Sequence, residues 1–515
     1  MTEPLAAAHV ALSALILVWN IVRAGRIATV RTTPRVFAAL SGFAGLLIVP
    51  ALLVRLATAN ALFSRSVEAI DWIWPVTLAL FAAQAVYALA RRMSHPLVAA
   101  PIALYNVMLL SIAIVEYSLV HGMALPGPAV VLLAAHRSAF ALGATPAALA
   151  STAYVLLPIL APAFPARWNV SVASRGAAAL LALAWVGLTA AELPAGLRAV
   201  RSYAPLAAER LRERPAGDLA LGVELFPSLS ALPSPIAVRN DLAIADSLGA
   251  DAVSLLLEPA ATRPAVLDSL RRAFEDRRRG GLQLVVALGW ERDLGDVFRG
   301  PRPLDVDGRI AAIERIARRL HPDYLLPAHE PFGEAARAVG ELSPDEWRGY
   351  LAAAARTVER IDPDVRVAFA VSSFGAPDSV LYAWAASVES PVDAVGFILR
   401  PTREGGQSLV ERRETAARWM EASASPKEHW VFGVTGLPLA HGERSQRQAI
   451  WGTVAWATEI PAIRGVIIAD ATDYWTATGL RTALGRIRPA LAEAQRAARM
   501  VRETAQADTV RVPGT

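Results

Sequence analysis

The chain has 515 residues, 54% of them hydrophobic and only 19% charged, so it is too long for one ordinary domain and too apolar to be wholly soluble. The formal net charge is +5, and the basic residues are scattered arginines apart from the run 277–279. No basic patch with interleaved aromatics results, which excludes nucleic acid as a partner, and the absence of cysteine excludes disulfides, thiolate metal sites and cysteine nucleophiles.

A helix needs about 20 apolar residues to cross the hydrocarbon core of a bilayer. The runs 5–22, 36–54, 70–89, 97–120 and 173–191 meet that length. The first has no basic region before it and no small-residue cleavage site after it, and reads as a retained span rather than a signal peptide. Region 128–164 is less regular: either two short spans broken at 143–146, or one span and an interfacial helix. Its His136–Arg137 pair is costly in hydrocarbon unless an interfacial helix turns it to water. Six or seven spans result, making this a multi-pass cell-membrane protein with the lipid bilayer as one partner. Arg23, Arg26, Arg31, Arg35, Arg91 and Arg92 mark cytoplasmic loops and place the N-terminus outside. Seven spans put the C-terminal half in the cytoplasm and six put it outside, so its side is left open. His9 and His121 read as interfacial residues rather than a haem pair, and no cofactor and no metal are expected.

The transmembrane helical domain covers 1–193, an Ala/Arg-rich linker 194–217, a second domain 218–500 and a flexible tail 501–515. From 219 onward, short aliphatic runs alternate with amphipathic stretches, as repeated βα units do. The predicted strands are 219–225, 252–257, 282–288, 324–328, 366–372, 394–399, 430–434 and 465–469. Eight such units close a (β/α)8 TIM barrel. Ser343-Pro344-Asp345-Glu346 is a capping box with proline at the first helical position, and Asp362-Pro363 ends that helix. The stretch 407–420 has the apolar spacing of a helix packed on a sheet by one face.

In this fold, chemistry sits at the carboxyl ends of the strands. Those ends carry Glu224, Glu258, Trp290-Glu291, His329-Glu330, Ser372-Ser373, Arg400, Thr435-Gly436, and the stretch from Asp470 through Asp473 to Trp475. Strand ends are also where polar residues collect as a strand leaves the core, so each has an ordinary reading beside the catalytic one.

Over roughly 219–490 the chain resembles the (β/α)8 glycoside hydrolases with catalytic glutamates after strands four and seven. The fourth-strand motif of that superfamily, Asn-Glu-Pro, is matched here by His329-Glu330-Pro331, which implies that Glu330 is the general acid/base. The seventh-strand region, Phe432-Gly433-Val434-Thr435-Gly436-Leu437-Pro438, places Val434 where the resemblance implies the nucleophile. Strand eight, ending at Asp470 and followed by Trp475, also resembles the superfamily, in which an aromatic often floors the sugar site.

A retaining glycosidase needs two carboxyl groups about 5–5.5 Å apart, one of which attacks the sugar, and valine cannot attack. An inverting arrangement needs only a base at about 6.5–9.5 Å, for which Asp470, Asp473, Glu224 and Glu443 are candidates. The expected catalytic set is therefore Glu330, Asp470 and Glu224, with His329, Trp290, Trp475, Asp473 and Thr435 contacting substrate. The favoured expectation is a catalytically degenerate barrel that binds a glycan, or serves as a scaffold or accessory subunit with a partner membrane protein. The alternative is an active membrane-tethered glycosidase using Glu330.

Overall fold

The computed structural model describes residues 3–29, 33–58, 67–123, 125–140, 156–163, 170–229, 234–291, 301–401, 408–473 and 477–510. The N-terminal half is helical: α1 (Glu3–Thr29), α2 (Arg35–Thr58), α3 (Ile73–Ala90), α4 (Pro96–Val120), α5 (Gly127–Phe140), α6 (Val170–Ala191) and α7 (Leu193–Arg201). Among the described residues, four helical stretches are long and apolar enough to cross a membrane: α2, α3, α4 and Ser171–Ala208. Such helices form because apolar side chains cover them on all sides, leaving the backbone to satisfy itself. Local signals fix their ends. His95 accepts the Leu97 amide at 3.3 Å, and Pro96 occupies the first turn of α4, where no donor is needed.

The irregular region departs from both sequence readings. α5 is helical to Phe140, but residues 156–163 are extended rather than a second helical span, and they are buried inside the bundle. The 143–146 break lies outside the described residues. Extended backbone survives in an apolar interior only if its polar groups find partners there. Three side-chain amides supply them. Asn20 of α1 donates to Pro158 O and accepts from Leu160 N, Asn106 of α4 brackets Ile159, and Gln84 of α3 brackets Ala161. The Tyr105 hydroxyl donates to Leu157 O at 2.9 Å.

His136 and Arg137 do not face water; both are buried. Arg137 donates to Glu116 of α4 at 2.7 Å, and Arg55 of α2 reaches the other oxygen of the same carboxylate at 2.5 Å. His121 pairs with Asp71 at 3.3 Å and stacks on Tyr117, while the side chain of His9 lies outside the described set.

Beyond the bundle the chain runs β1 (Ala220–Leu229), α8 (Pro235–Leu248), β2 (Ala252–Leu257), α9 (Pro264–Arg279), β3 (Gln283–Leu288), α10 (Val306–Leu320), β4 (Tyr324–Leu326), α11 (Glu334–Val339) and α12 (Pro344–Ile361). It continues with β5 (Arg366–Val371), α13 (Ala376–Ala386), β6 (Ala394–Leu399), α14 (Leu409–Ser423), β7 (Glu428–Val434), α15 (Pro438–His441), α16 (Glu443–Glu459), β8 (Ile463–Ile468) and α17 (Pro489–Val510). The eight parallel strands close in sequence order, β1 pairing with both β2 and β8. The capping box at Ser343 and Glu346 forms as expected, and Ser408 with Glu411 makes another.

At the amino-terminal end of the barrel an aspartate precedes each of β2, β4 and β6. Asp251, Asp323 and Asp393 accept the amides of Leu221, Leu284 and Val367 on the preceding strands at 3.0, 2.7 and 2.7 Å. The interior is filled by side chains, among them Leu256, Val285, Tyr324, Trp430 and Phe432. Gly465 is required beside Trp430, since a Cβ there would overlap the indole. Lacking a pore, the barrel leaves its carboxyl-end rim as the place for a site.

That same rim meets the helical bundle. Leu439 of α15 and Ala477 of the β8 loop join the apolar cluster of the bundle, and the Tyr203 hydroxyl contacts His441 at 3.0 Å. Arg486, paired with Glu443, donates to Leu119 O and Val120 O at 2.9 and 3.1 Å, capping the last turn of α4, where Leu119 O also accepts the Gly122 amide.

Candidate active site

Glu224 projects from β1, Arg400 follows β6, His329 and Glu330 follow β4, and Asp470 follows β8. Closure of the sheet brings these four strand ends together. Arg400 lies 3.3 Å from the Glu224 carboxylate and 3.7 Å from that of Glu330. One planar guanidinium therefore bridges two acids, which stand within about 9 Å of each other by its span and its two contacts. His329 sits 3.9 Å from Glu330 and 3.4 Å from Glu334 at the start of α11.

The backbone is shaped to seat Glu330. Its φ of 49° is left-handed, a conformation L side chains rarely adopt. Three residues on, a Cβ on Gly333 would stand 2.6 Å from the Glu330 carboxylate and 2.8 Å from Ser372 Oγ, so only glycine leaves room for that rotamer. Arg412 of α14, buried, donates to Ser372 O at 2.6 Å and adds positive charge near Glu330.

Burial dominates the electrostatics. It pushes the Glu224 carboxyl up to about 7, helped by the like charge of Asp470 and opposed by Arg400. Burial alone would depress His329, but the Glu334 carboxylate and then the Glu330 charge outweigh it and hold the imidazole above its ordinary value. Burial likewise opposes the charge on Arg400, yet Glu224 and Glu330 keep it charged. Three buried polar atoms of this group, Glu224 Oε1, Ser372 Oγ and Arg400 Nε, have no hydrogen-bond partner among the described residues, while His329 Nδ1 faces Glu334 at 3.4 Å.

Of the residues expected from sequence, Glu330, Glu224, Asp470 and His329 converge. Asp470 is buried and accepts from Thr478 Oγ1 at 2.6 Å. Asp473 is committed elsewhere: Arg488 grips both its oxygens at 2.7 and 2.6 Å, and it also accepts the Gly479 amide. Thr435 turns its hydroxyl to Gly436 O at 3.0 Å. Trp290 packs outward, edge-on to Trp347 and 3.7 Å beneath the Arg309 guanidinium, while its N–H donates to His329 O at 2.6 Å. It supports His329 from behind. Glu443 pairs with Arg486 against the bundle, so its loop does not fold into the mouth. Trp475 lies outside the described residues. Val434 ends β7 fully buried.

Sequence reasoning placed Ser372 and Arg400 at strand ends but left them out of the expected set, and did not name Glu334 or Arg412. For Arg400 the signal was an arginine placed directly after the apolar run of β6, and for Ser372 its place at the end of β5; Glu334 and Arg412 follow only from closure of the barrel.

No protein-family profile matches the chain, and no curated protein matches it. Among solved structures, GH5_18 from Streptomyces cattleya in complex with GlcNAc is similar at 17% identity and a TM-score of 0.44, over 56% of this chain and 81% of that one. A monomeric beta-xylosidase from Caulobacter crescentus is similar at 12% identity and a TM-score of 0.42, over 56% and 69%. A beta-glucuronidase from an uncultured Clostridium sp. is similar at 11% identity and a TM-score of 0.39, over 54% and 50%, so this chain spans half the length of that enzyme. The (β/α)8 architecture itself rests on the closed order of eight parallel strands.

Proposed function

We propose that the protein is embedded in the cell membrane and that its barrel binds a saccharide at the carboxyl-end rim without retaining hydrolysis. One observation carries this reading. Glu224 Oε1, Ser372 Oγ and Arg400 Nε are buried polar atoms with no hydrogen-bond partner among the described residues, clustered around two carboxylates, while Val434, the position the resemblance matches to the nucleophile, carries no attacking group. Buried polar groups are nearly always satisfied, and a ligand rich in hydroxyls supplies both donors and acceptors.

A second reading, inverting hydrolysis, is favoured by the shared guanidinium. Two acids within about 9 Å are on the scale of an inverting pair, for which about 6.5–9.5 Å is needed. Glu224, partly protonated at neutral pH, is then the better proton donor and Glu330 the base that activates water. That reverses the role the sequence resemblance implies for Glu330. A hydrolysis screen over a glycan panel separates the readings, with binding followed in parallel. Binding without turnover supports the first. Turnover with inverted product, abolished by Glu330→Gln and by Glu224→Gln, overturns it in favour of the second, and neither binding nor turnover sinks both.

The helix ends support one orientation in the membrane. Arg23 near the end of α1 reaches Ser174 near the start of α6 at 3.4 Å, so these two ends lie together. Arg35 opens α2 a few residues after α1, and because Phe37 of α2 stacks on Tyr87 of α3 at 6.2 Å, Arg91 and Arg92 just beyond α3 lie at that same end. The barrel meets the opposite end of α4. Arginine-rich loops face the cytoplasm, which puts the barrel outside with six crossings, the sixth made by α5 and the extended segment.

A further inference from the structure

The loops that dock on the bundle follow β7 and β8, so they belong to the same rim as the site. The Asp470 carboxylate accepts from Thr478, next to Ala477, which packs in the apolar cluster of the bundle. A few residues on, Arg486 caps the last turn of α4 at Leu119 and Val120. Around that level Trp72 is half exposed just before α3, and Met123 is half exposed just after α4. An exposed tryptophan at the end of an apolar helix marks the boundary between hydrocarbon and water. The rim therefore sits at headgroup height, with the amino-terminal end of the barrel on the side away from the bilayer.

From this arrangement, and resting on the saccharide reading of the site, we infer that the ligand is a saccharide carried on a membrane lipid. Its sugar enters the Glu224–Arg400–Glu330 mouth while its apolar tail stays in the outer leaflet beside the bundle. A soluble glycan would meet a rim turned toward the membrane, whereas a lipid-linked sugar is presented there at high local concentration.

Two measurements on the full chain in phosphatidylcholine nanodiscs test this. The first compares glycosyl diacylglycerols and polyprenyl-phosphate sugars in the disc with the same sugars freed of lipid. Preference for the lipid-linked form by about tenfold or more is expected. Equal or tighter binding of the free sugar overturns the inference and leaves the saccharide site standing. Binding of neither form overturns the site reading, and the inference with it.

The second measurement needs no ligand. The chain has no cysteine, so a single fluorescent label goes on cleanly at Arg444→Cys, exposed beside the docking loop, or at Asp364→Cys, exposed just before β5. Headgroup-nitroxide lipids are expected to quench the first label severalfold more than the second. Equal quenching removes the membrane-facing rim and overturns the inference.

Discussion

Replacing Glu224 by Gln keeps the shape of the side chain and removes a carboxyl whose proton affinity the fold has raised. Burial and then Asp470 lift it from an ordinary 4.5 to about 7. A shift of that size corresponds to on the order of 3 kcal/mol of folding free energy. The sign follows from which state holds the proton more tightly. The native state does, so the stabilisation is complete below pH 4.5 and is lost as pH rises through about 7. His329, also held above its ordinary value, loses stabilisation in the same direction, so the wild type alone cannot isolate Glu224. The difference between wild type and Glu224→Gln does. Urea unfolding of the full chain in nanodiscs, followed by tryptophan fluorescence between about pH 5 and 8, should show the wild type losing about 3 kcal/mol more than the variant. Infrared difference titration gives an independent readout: a protonated-carboxyl band that fades near neutral pH and is absent from Glu224→Gln. Parallel pH slopes for the two proteins would refute the claim that burial governs this site.

Two further substitutions test how the halves are held. Asn106→Leu leaves the amide and carbonyl of Ile159 without partners in an apolar interior, at about 1–3 kcal/mol for each orphaned group, and thermal unfolding in detergent should fall accordingly; an unchanged melting temperature would mean that the extended segment is not held by these amides. Trp290→Ala removes the contacts to Trp347 and Arg309 and the hydrogen bond to His329 O, and should cost the barrel about 3–5 kcal/mol in urea unfolding. A stacking platform exposed at the mouth would lose little stability on the same change.

The barrel was legible because its strands are fully buried and therefore continuously apolar, so that runs such as 252–257 and 394–399 coincide with β2 and β6. The aspartates at 251, 323 and 393 were a regular signal that passed unread, since a turn residue before a strand looks ordinary until the preceding strand is seen to need it. Site residues were legible in proportion to how little they depend on neighbours. Glu330 and Glu224 follow from strand position alone. Trp290 does not, because which way a residue turns after β3 is decided by Arg309 on the next helix. Asp473 looked available in the sequence and is consumed by Arg488, fifteen positions further on. The irregular region misled for a different reason: hydropathy measures transfer into lipid, and residues 156–163 are apolar because they are buried in protein.

That extended segment also bears on why the helical half is so large. One helix suffices to tether a barrel, and a tether places no demand on the polarity of its lipid-facing neighbours. Here Asn20, Gln84 and Asn106, each fully buried and each on a different helix, spend their hydrogen-bonding groups on three consecutive stretches of one strand of backbone. Burying three amides is unfavourable unless all their bonds are made, and they can be made only if α1, α3 and α4 hold fixed positions around the segment. The same α4 carries Glu116, against which Arg55 and Arg137 pair, and ends at the carbonyls that Arg486 caps. Rigidity required by the interior of the bundle is thus delivered, along one helix, to the rim of the barrel. A single flexible helix would leave the mouth free to tumble, whereas this bundle fixes the position of the rim relative to its own helices.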